Sequence, residues 1–147
     1  MDVGIETGQT KSPRDISLVS RSFTSESGEP VCMLMQILGK SKDTKALEKE
    51  SISIVTHALL ETEGDISHRF DGALKELNGL IKGMLHAHTI EDIHMLITAL
   101  GTDGTLLVSH AGRAEAYVVR GGSANQITEY AKGRAVPAFV HIASGYA

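Results

Sequence analysis

The sequence predicts an α+β domain in which antiparallel strands carry a packed pair of antiparallel helices. Three observations predict it. Apolar residues alternate with polar ones at both ends of the chain, two long segments in the middle repeat their apolar residues at spacings of three and four, and the order runs strands, helices, strands. At 147 residues with 41% hydrophobic content the chain is long enough to bury one core, so residues 1–147 are read as a single domain.

Residues 3–7 and 16–23 mix apolar and polar residues in near alternation and are joined by the turn-rich "GQTKSPRD", which predicts two strands. After "TSESGEP", the run at 31–38 is continuously apolar apart from Gln36, as expected of a central strand covered on both faces. Gly39 and "KSKD" then break the pattern. A helix follows with Leu47, Ser51, Ile54, Val55, Ala58 and Leu59 on one face and Asp43 or Thr44 as its cap. "EGD" separates it from a second helix striped by Ile66, Phe70, Ala73, Leu74, Leu77, Ile81, Met84 and Leu85.

Beyond "HAHTIED" the period returns to two. Strands are predicted at 93–100 and 106–111 around "GTDGT", and at 114–120 and 126–130 around "GGSA". The final "AFVHIASGYA" reads as an apolar strand and turn with no polar tail, as if further strands were missing. Met33, Met35, Met84 and Met95 lie on apolar stripes and read as core.

Composition narrows the function. Lys and Arg total 14 against 18 Asp and Glu, so no basic block offers itself to a phosphate backbone and nucleic acid is excluded as a partner. No stretch has the apolar length of a membrane span, and the N-terminus has no leader pattern. The single Cys32 rules out an internal disulfide and suits a reducing, cytoplasmic setting. With three Phe, three Tyr and no Trp, aromatic anchors are scarce.

Chemistry-bearing motifs are few. His86, His88, Glu91 and His94 crowd into "HAHTIEDIH" and invite a metal reading, but the segment crosses from helix to strand and lacks the fixed spacing of zinc motifs. They read as surface histidines, His86 favourably placed at a helix C-terminus. Neither a nucleophile elbow nor a glycine-rich phosphate loop is present, and "RGGSAN" reads as hairpin turn.

One stretch does carry a resemblance. "LLVSHAGRAEAYVVRGGSANQITEYAKG" resembles a strand pair of the metal-dependent protein phosphatases of the 2C type, whose pattern is roughly "vaHvGDSRaYlyr.g.l.qlT.DH"; His110, Gly112, Ala116, Tyr117, Arg120, Gln126, Ile127 and Thr128 fit in order. Asp15 in "GQTKSPRDISLVS" is similar in place to the Asp of the family's N-terminal "NxD" element. The helix pair with Asn78 and the closing "VPAFVHIASGYA" also follow the family's order. The resemblance implies an antiparallel β-sandwich flanked by helix pairs. It also implies hydrolysis of phosphoserine and phosphothreonine by a water bridging two Mg²⁺ or Mn²⁺ ions.

The departures point away from catalysis. The family's third strand ends in "DG.GG", whose Asp bridges the metals, whereas this one ends in "MQILGKSKD". The later acidic motifs have no counterpart, and "GDSR" becomes Gly112, Arg113, Ala114, Glu115. Asp15 is the one matched metal ligand, and two hard cations need several carboxylate oxygens.

The expectation is therefore a catalytically degenerate domain needing no cofactor, a regulatory or scaffolding module. Its partner would be another protein, or a second copy bound through open sheet edges, with Arg113 and Glu115 as a charged strand pair for contact or solvation. The alternative is an active Ser/Thr phosphatase, or its N-terminal portion, using Mg²⁺ or Mn²⁺ held by Asp15 with Asp43 or Asp103. A third possibility is an unrelated ligand-binding domain with its site near the histidine segment.

Overall fold

A computed structural model describes residues 3–11, 13, 15–61, 63–128 and, for the backbone, 143–146. Among the described residues the main sheet has five antiparallel strands in the order β1 (Ile16–Thr24), β2 (Pro30–Leu38), β3 (Asp92–Leu100), β4 (Thr105–Ala111) and β7 (Ala143–Tyr146). Between β2 and β3 the chain forms α1 (Ser41–Thr56), which runs into a π-helical turn at His57–Glu61, and then α2 (Ile66–His86). A separate ribbon pairs β5 (Tyr117–Arg120) with β6 (Ser123–Gln126). Antiparallel sheets with a packed helix pair are the fold class that the sequence predicts.

Strand alternation explains which residues meet the helices. In β2 the odd residues Val31, Met33, Met35 and Ile37 are buried, and their cross-strand neighbours Ala99, Ile97, Met95 and Ile93 on β3 share that face. Against them pack Leu47, Val55 and Leu59 from the first helix and Phe70, Leu74, Leu77 and Ile81 from the second. These are the predicted stripes. Met33, Met35 and Met95 are core, and Met84 is partly buried against it.

The expectation of a strand covered on both faces is corrected. Cys32 is half-buried, Leu34 is 43% exposed and Gln36 is exposed, because the helices cover only the odd face of β2. Burial pushes the Cys32 thiol up from its ordinary pKa.

Three further expectations change. Residues 3–7 form no strand; their one described anchor nearby is Gln9, whose Nε2 donates to the Leu18 carbonyl at 2.8 Å. The first helix begins at Ser41 with Lys40 as its cap residue, so neither Asp43 nor Thr44 caps it. The Thr44 hydroxyl instead donates to the Ser41 carbonyl at 3.2 Å. The second hairpin turns at Gly121 and Gly122, both at positive φ, so β6 starts at Ser123 rather than after it. β6 ends at Gln126, so Ile127 and Thr128 fall outside the predicted strand, while residues 129–130 and most of 136–147 lie outside the described residues.

One buried side chain joins the layers. Arg69 donates from Nη1 to the Leu59 carbonyl at 2.7 Å, from Nε to the Gly64 carbonyl at 3.0 Å, and from Nη2 to Glu29 Oε1 at 3.4 Å. Glu29, also buried, accepts from the Ser25 hydroxyl within the β1–β2 turn. The π-helical turn, the connection between the helices and the first hairpin thus share one cation. Asp65 caps α2 independently, accepting from the His68 N–H at 2.8 Å.

Replacing Arg69 by Ala strands a buried carboxylate and two carbonyls, and is expected to cost about 3–5 kcal/mol. Urea unfolding of the Arg69→Ala protein measures this, and Glu29→Gln in the same background should recover part of the loss. In the opposite direction, Gly79 is exposed within α2 and a Cβ there meets nothing within 4 Å. Gly79→Ala should raise stability by about 0.5–1 kcal/mol in the same assay.

Candidate functional site

At one end of the main sheet β1 and β3 begin while β2 and β4 end. The register sets Ile16 beside Leu38 and Leu38 beside Asp92, and pairs Met95 with Ala111. Asp15, Gly39, Asp92, His94, Gly112 and Arg113 therefore gather at this end, which is where the resemblance would place metal ligands.

Asp15 is exposed and takes a left-handed conformation, φ 63°, which a short polar residue tolerates. Its carbonyl accepts from the Gly39 N–H at 2.9 Å, closing the β1–β2 pairing. The Leu38 carbonyl is taken by the Glu91 N–H at 2.8 Å. A Cβ on Gly39 would lie 3.3 Å from the Ile90 Cα, so close approach of the α2–β3 connection favours glycine there.

On β3, His94 Nδ1 accepts from the Arg113 backbone N–H at 3.0 Å while Nε2 stands 3.5 Å from Asp92 Oδ2. The neutral ring that accepts at Nδ1 carries its proton on Nε2, facing the carboxylate. Asp92 Oδ1 also accepts from the Ile93 N–H at 2.8 Å. Gly112, at φ 67°, lets the turn after β4 fold over this imidazole: a Cβ there would stand 2.2 Å from His94 Nδ1 and 2.7 Å from the Ile93 carbonyl. This clasp joins a histidine of the "HAHTIEDIH" segment to the glycine of "HAGR".

Arg113 and Glu115 are both exposed, but they do not share a strand. Arg113 sits in the turn after Ala111, and Glu115 precedes β5 in irregular backbone, so the predicted strand pair is corrected. The clasp on His94 ends β4 two residues before Arg113. The Glu115 carboxylate accepts from the Tyr117 hydroxyl at 2.8 Å, and this bond holds the Tyr117 phenol above its ordinary pKa. Thr128 is buried and its hydroxyl accepts from the Ala116 N–H at 3.0 Å, which gives the matched threonine a structural role.

The remaining candidates disperse. Asp103 lies in the β3–β4 turn at the opposite end of the sheet. There it accepts from the Thr105 N–H at 2.9 Å, which lowers its pKa. Asp43 is in the first turn of α1. His86 and His88 are exposed on either side of the α2 C-terminus, and Glu91 is exposed before β3. Among the described residues no three His, Cys, Asp or Glu converge as a metal site.

The donors at this end do not fit two hard divalent cations. The Leu38 side chain carries no oxygen and its carbonyl is taken by the Glu91 N–H, Asp92 is engaged by its own strand and His94, and Asp15 supplies a single carboxylate. Among the described residues no helix is long and apolar enough to cross a membrane.

No protein-family model matches the chain, and no curated protein matches it in sequence. Solved structures do match. A serine/threonine phosphatase of S. agalactiae superposes with a TM-score of 0.60 at 17% identity, over 85% of this chain and 53% of that one. The fold is phosphatase 2C-like. The catalytic domain of the serine/threonine phosphatase PstP, solved in complex with two manganese ions, matches this 2C-like chain at TM-score 0.55, 20% identity, 85% and 53% coverage. The Mycobacterium tuberculosis phosphatase PstP/Ppp matches at 0.54, 20%, 85% and 52%. The 2C-like chain thus spans about half the length of the structures it matches.

Gly112→Ala forces the turn off His94 and should destabilise the domain by about 1–3 kcal/mol. The Arg113 amide should then lose its protection in hydrogen exchange, whereas a Gly104→Ala control at the far turn should leave that amide protected.

Proposed function

We propose that this is a catalytically degenerate phosphatase 2C-like domain that works by binding another protein, as a regulatory or scaffolding module. The observation that carries the reading is Leu38. It sits between Ile16 and Asp92 at the strand end where the resembling pattern has its metal-bridging Asp. An apolar side chain there cannot share charge between two dications or make a bridging water nucleophilic near neutral pH.

The same substitution supports a fold that stands without ions. Carboxylates crowded at one strand end repel each other unless cations neutralise them, and Leu38 beside Ile16 introduces no such repulsion. Binding would then use Arg113 in its exposed turn, Glu115 in the segment before β5, and the open sheet edges, in a cytoplasmic setting where Cys32 stays reduced.

Calorimetric titration with Mn²⁺, followed by assay on p-nitrophenyl phosphate at saturating metal, tests the proposal. The expected result is no saturable heat, and hydrolysis equal to the buffer blank, in a sample that unfolds cooperatively. Stoichiometric binding with turnover that Asp15→Ala abolishes would overturn it and establish the metal-dependent phosphatase instead.

A further inference from the structure

Two contacts make opposite demands on the His94 ring. Nδ1 accepts from the Arg113 backbone N–H at 3.0 Å, which requires that this nitrogen carry no proton. Nε2 stands 3.5 Å from Asp92 Oδ2, and a carboxylate at that distance favours the cationic ring. An imidazolium donates from both nitrogens, so it serves Asp92 but no longer accepts from Arg113. Protonation and the clasp exclude each other.

The packing removes the ways around this conflict. Gly112 brings its backbone so near the ring that a Cβ would stand 2.2 Å from Nδ1 and 3.1 Å from Cε1, so a proton on Nδ1 points straight into the turn. Rotating the ring by half a turn would place a carbon there, which accepts nothing. His94 is 27% exposed in its side chain, so solvent protons reach it.

Few other charges bear on the ring. β3 presents Asp92 and the turn presents Arg113. On β2 the register partner of His94 is Gln36, and beyond it on β1 lies Leu18, neither of which titrates. β4 presents His110, the register partner of Leu96 and a second histidine on this face.

The segment that the clasp governs has fixed ends. Ala111 closes β4 in register with Met95, and the Ala116 N–H is held by the buried Thr128 hydroxyl at 3.0 Å. Residues 112–115 between them belong to no strand, and they carry the exposed Arg113 and Glu115.

We propose that His94 is a pH sensor: protonation releases residues 112–115 from the start of β3 and rearranges Arg113 and Glu115, and deprotonation re-forms the clasp. The device is independent of whether the domain is catalytic.

NMR of the full chain between about pH 8 and pH 5, the range in which histidine changes charge, tests the proposal. The His94 Nδ1 resonance should pass from the acceptor to the protonated form, and the Arg113 amide should shift with the same midpoint. Hydrogen-exchange protection of that amide, corrected for the intrinsic pH dependence of exchange, should fall about tenfold. The Gly39 and Glu91 amides, in backbone bonds at the same end of the sheet, should stay protected. Asp92→Asn should move the midpoints of His94 and of Arg113 together to lower pH. His94→Asn puts Oδ1 where Nδ1 stands, an acceptor that does not titrate, and should make Arg113 protection independent of pH.

Arg113 protection that persists through the titration of His94 overturns the proposal. A loss that follows the midpoint of His110, or that survives in His94→Asn, overturns it too. Should His94→Asn fail to fold, the wild-type midpoints and their displacement in Asp92→Asn decide alone.

Discussion

The domain depends on a buried guanidinium. Arg69 lies in the first turn of α2, yet its side chain serves residues from three other places: the Leu59 carbonyl in the π-helical turn, the Gly64 carbonyl between the helices, and Glu29 in the β1–β2 turn. Burying such a charge is costly, and the cost is offset only when a counter-ion and several acceptors converge on it. Here they do. Carbonyls at the end of a helix lack intrahelical donors, and the arginine satisfies one of them where solvent cannot. The angle at which the helix pair meets the first hairpin is thereby tied to a single hydrogen-bonding group, and the packing of Phe70, Leu74 and Leu77 on β2 and β3 follows from it.

The sequence displayed most of this architecture through periodicity. Stripes at three and four residues located both helices because the helices bury one face each, and Leu47, Val55, Leu77 and Ile81 are buried as that pattern requires. "GTDGT" marked the β3–β4 hairpin because Gly104 adopts positive φ and Asp103 bonds the Thr105 N–H. Composition misled where burial depended on a distant partner. Residues 3–7 alternate but have no described strand beside them, and Leu34 is apolar on the face away from the helices. Arg69 was illegible as a keystone, since an arginine beside a helix stripe looks like any solvated charge until Glu29, 40 residues away, is seen to meet it.

The strand-end site was legible in part. Gly112 was matched in the 2C pattern, but its cause was hidden: the imidazole of His94 occupies the space a Cβ would take. Read singly, His94 belonged to a histidine cluster and Gly112 to the 2C pattern, and only the sheet register brings them together. At this end backbone bonds from Gly39 to Asp15 and from Glu91 to Leu38, together with the His94 clasp, provide the cohesion. A signal was available in hindsight. Gly39 is that signal: a Cβ there would lie 3.3 Å from the Ile90 Cα, so the close approach at the end of β2 sets a geometric requirement.

Strand order carries a kinetic consequence. β1 with β2 and β3 with β4 are hairpins whose closure needs only a few residues of chain, and α1 with α2 is likewise local. The pairing of β2 with β3 is different, because it must bring Leu38 beside Asp92 across the whole helical segment. Loop-closure entropy falls mainly on that step, so the rate-limiting barrier to folding should lie where the two hairpins join over a preformed helix pair. In such a route the Arg69 cluster, whose hydrogen bonds run to the first hairpin, the π-helical turn and the connection between the helices, can form before the second hairpin pairs.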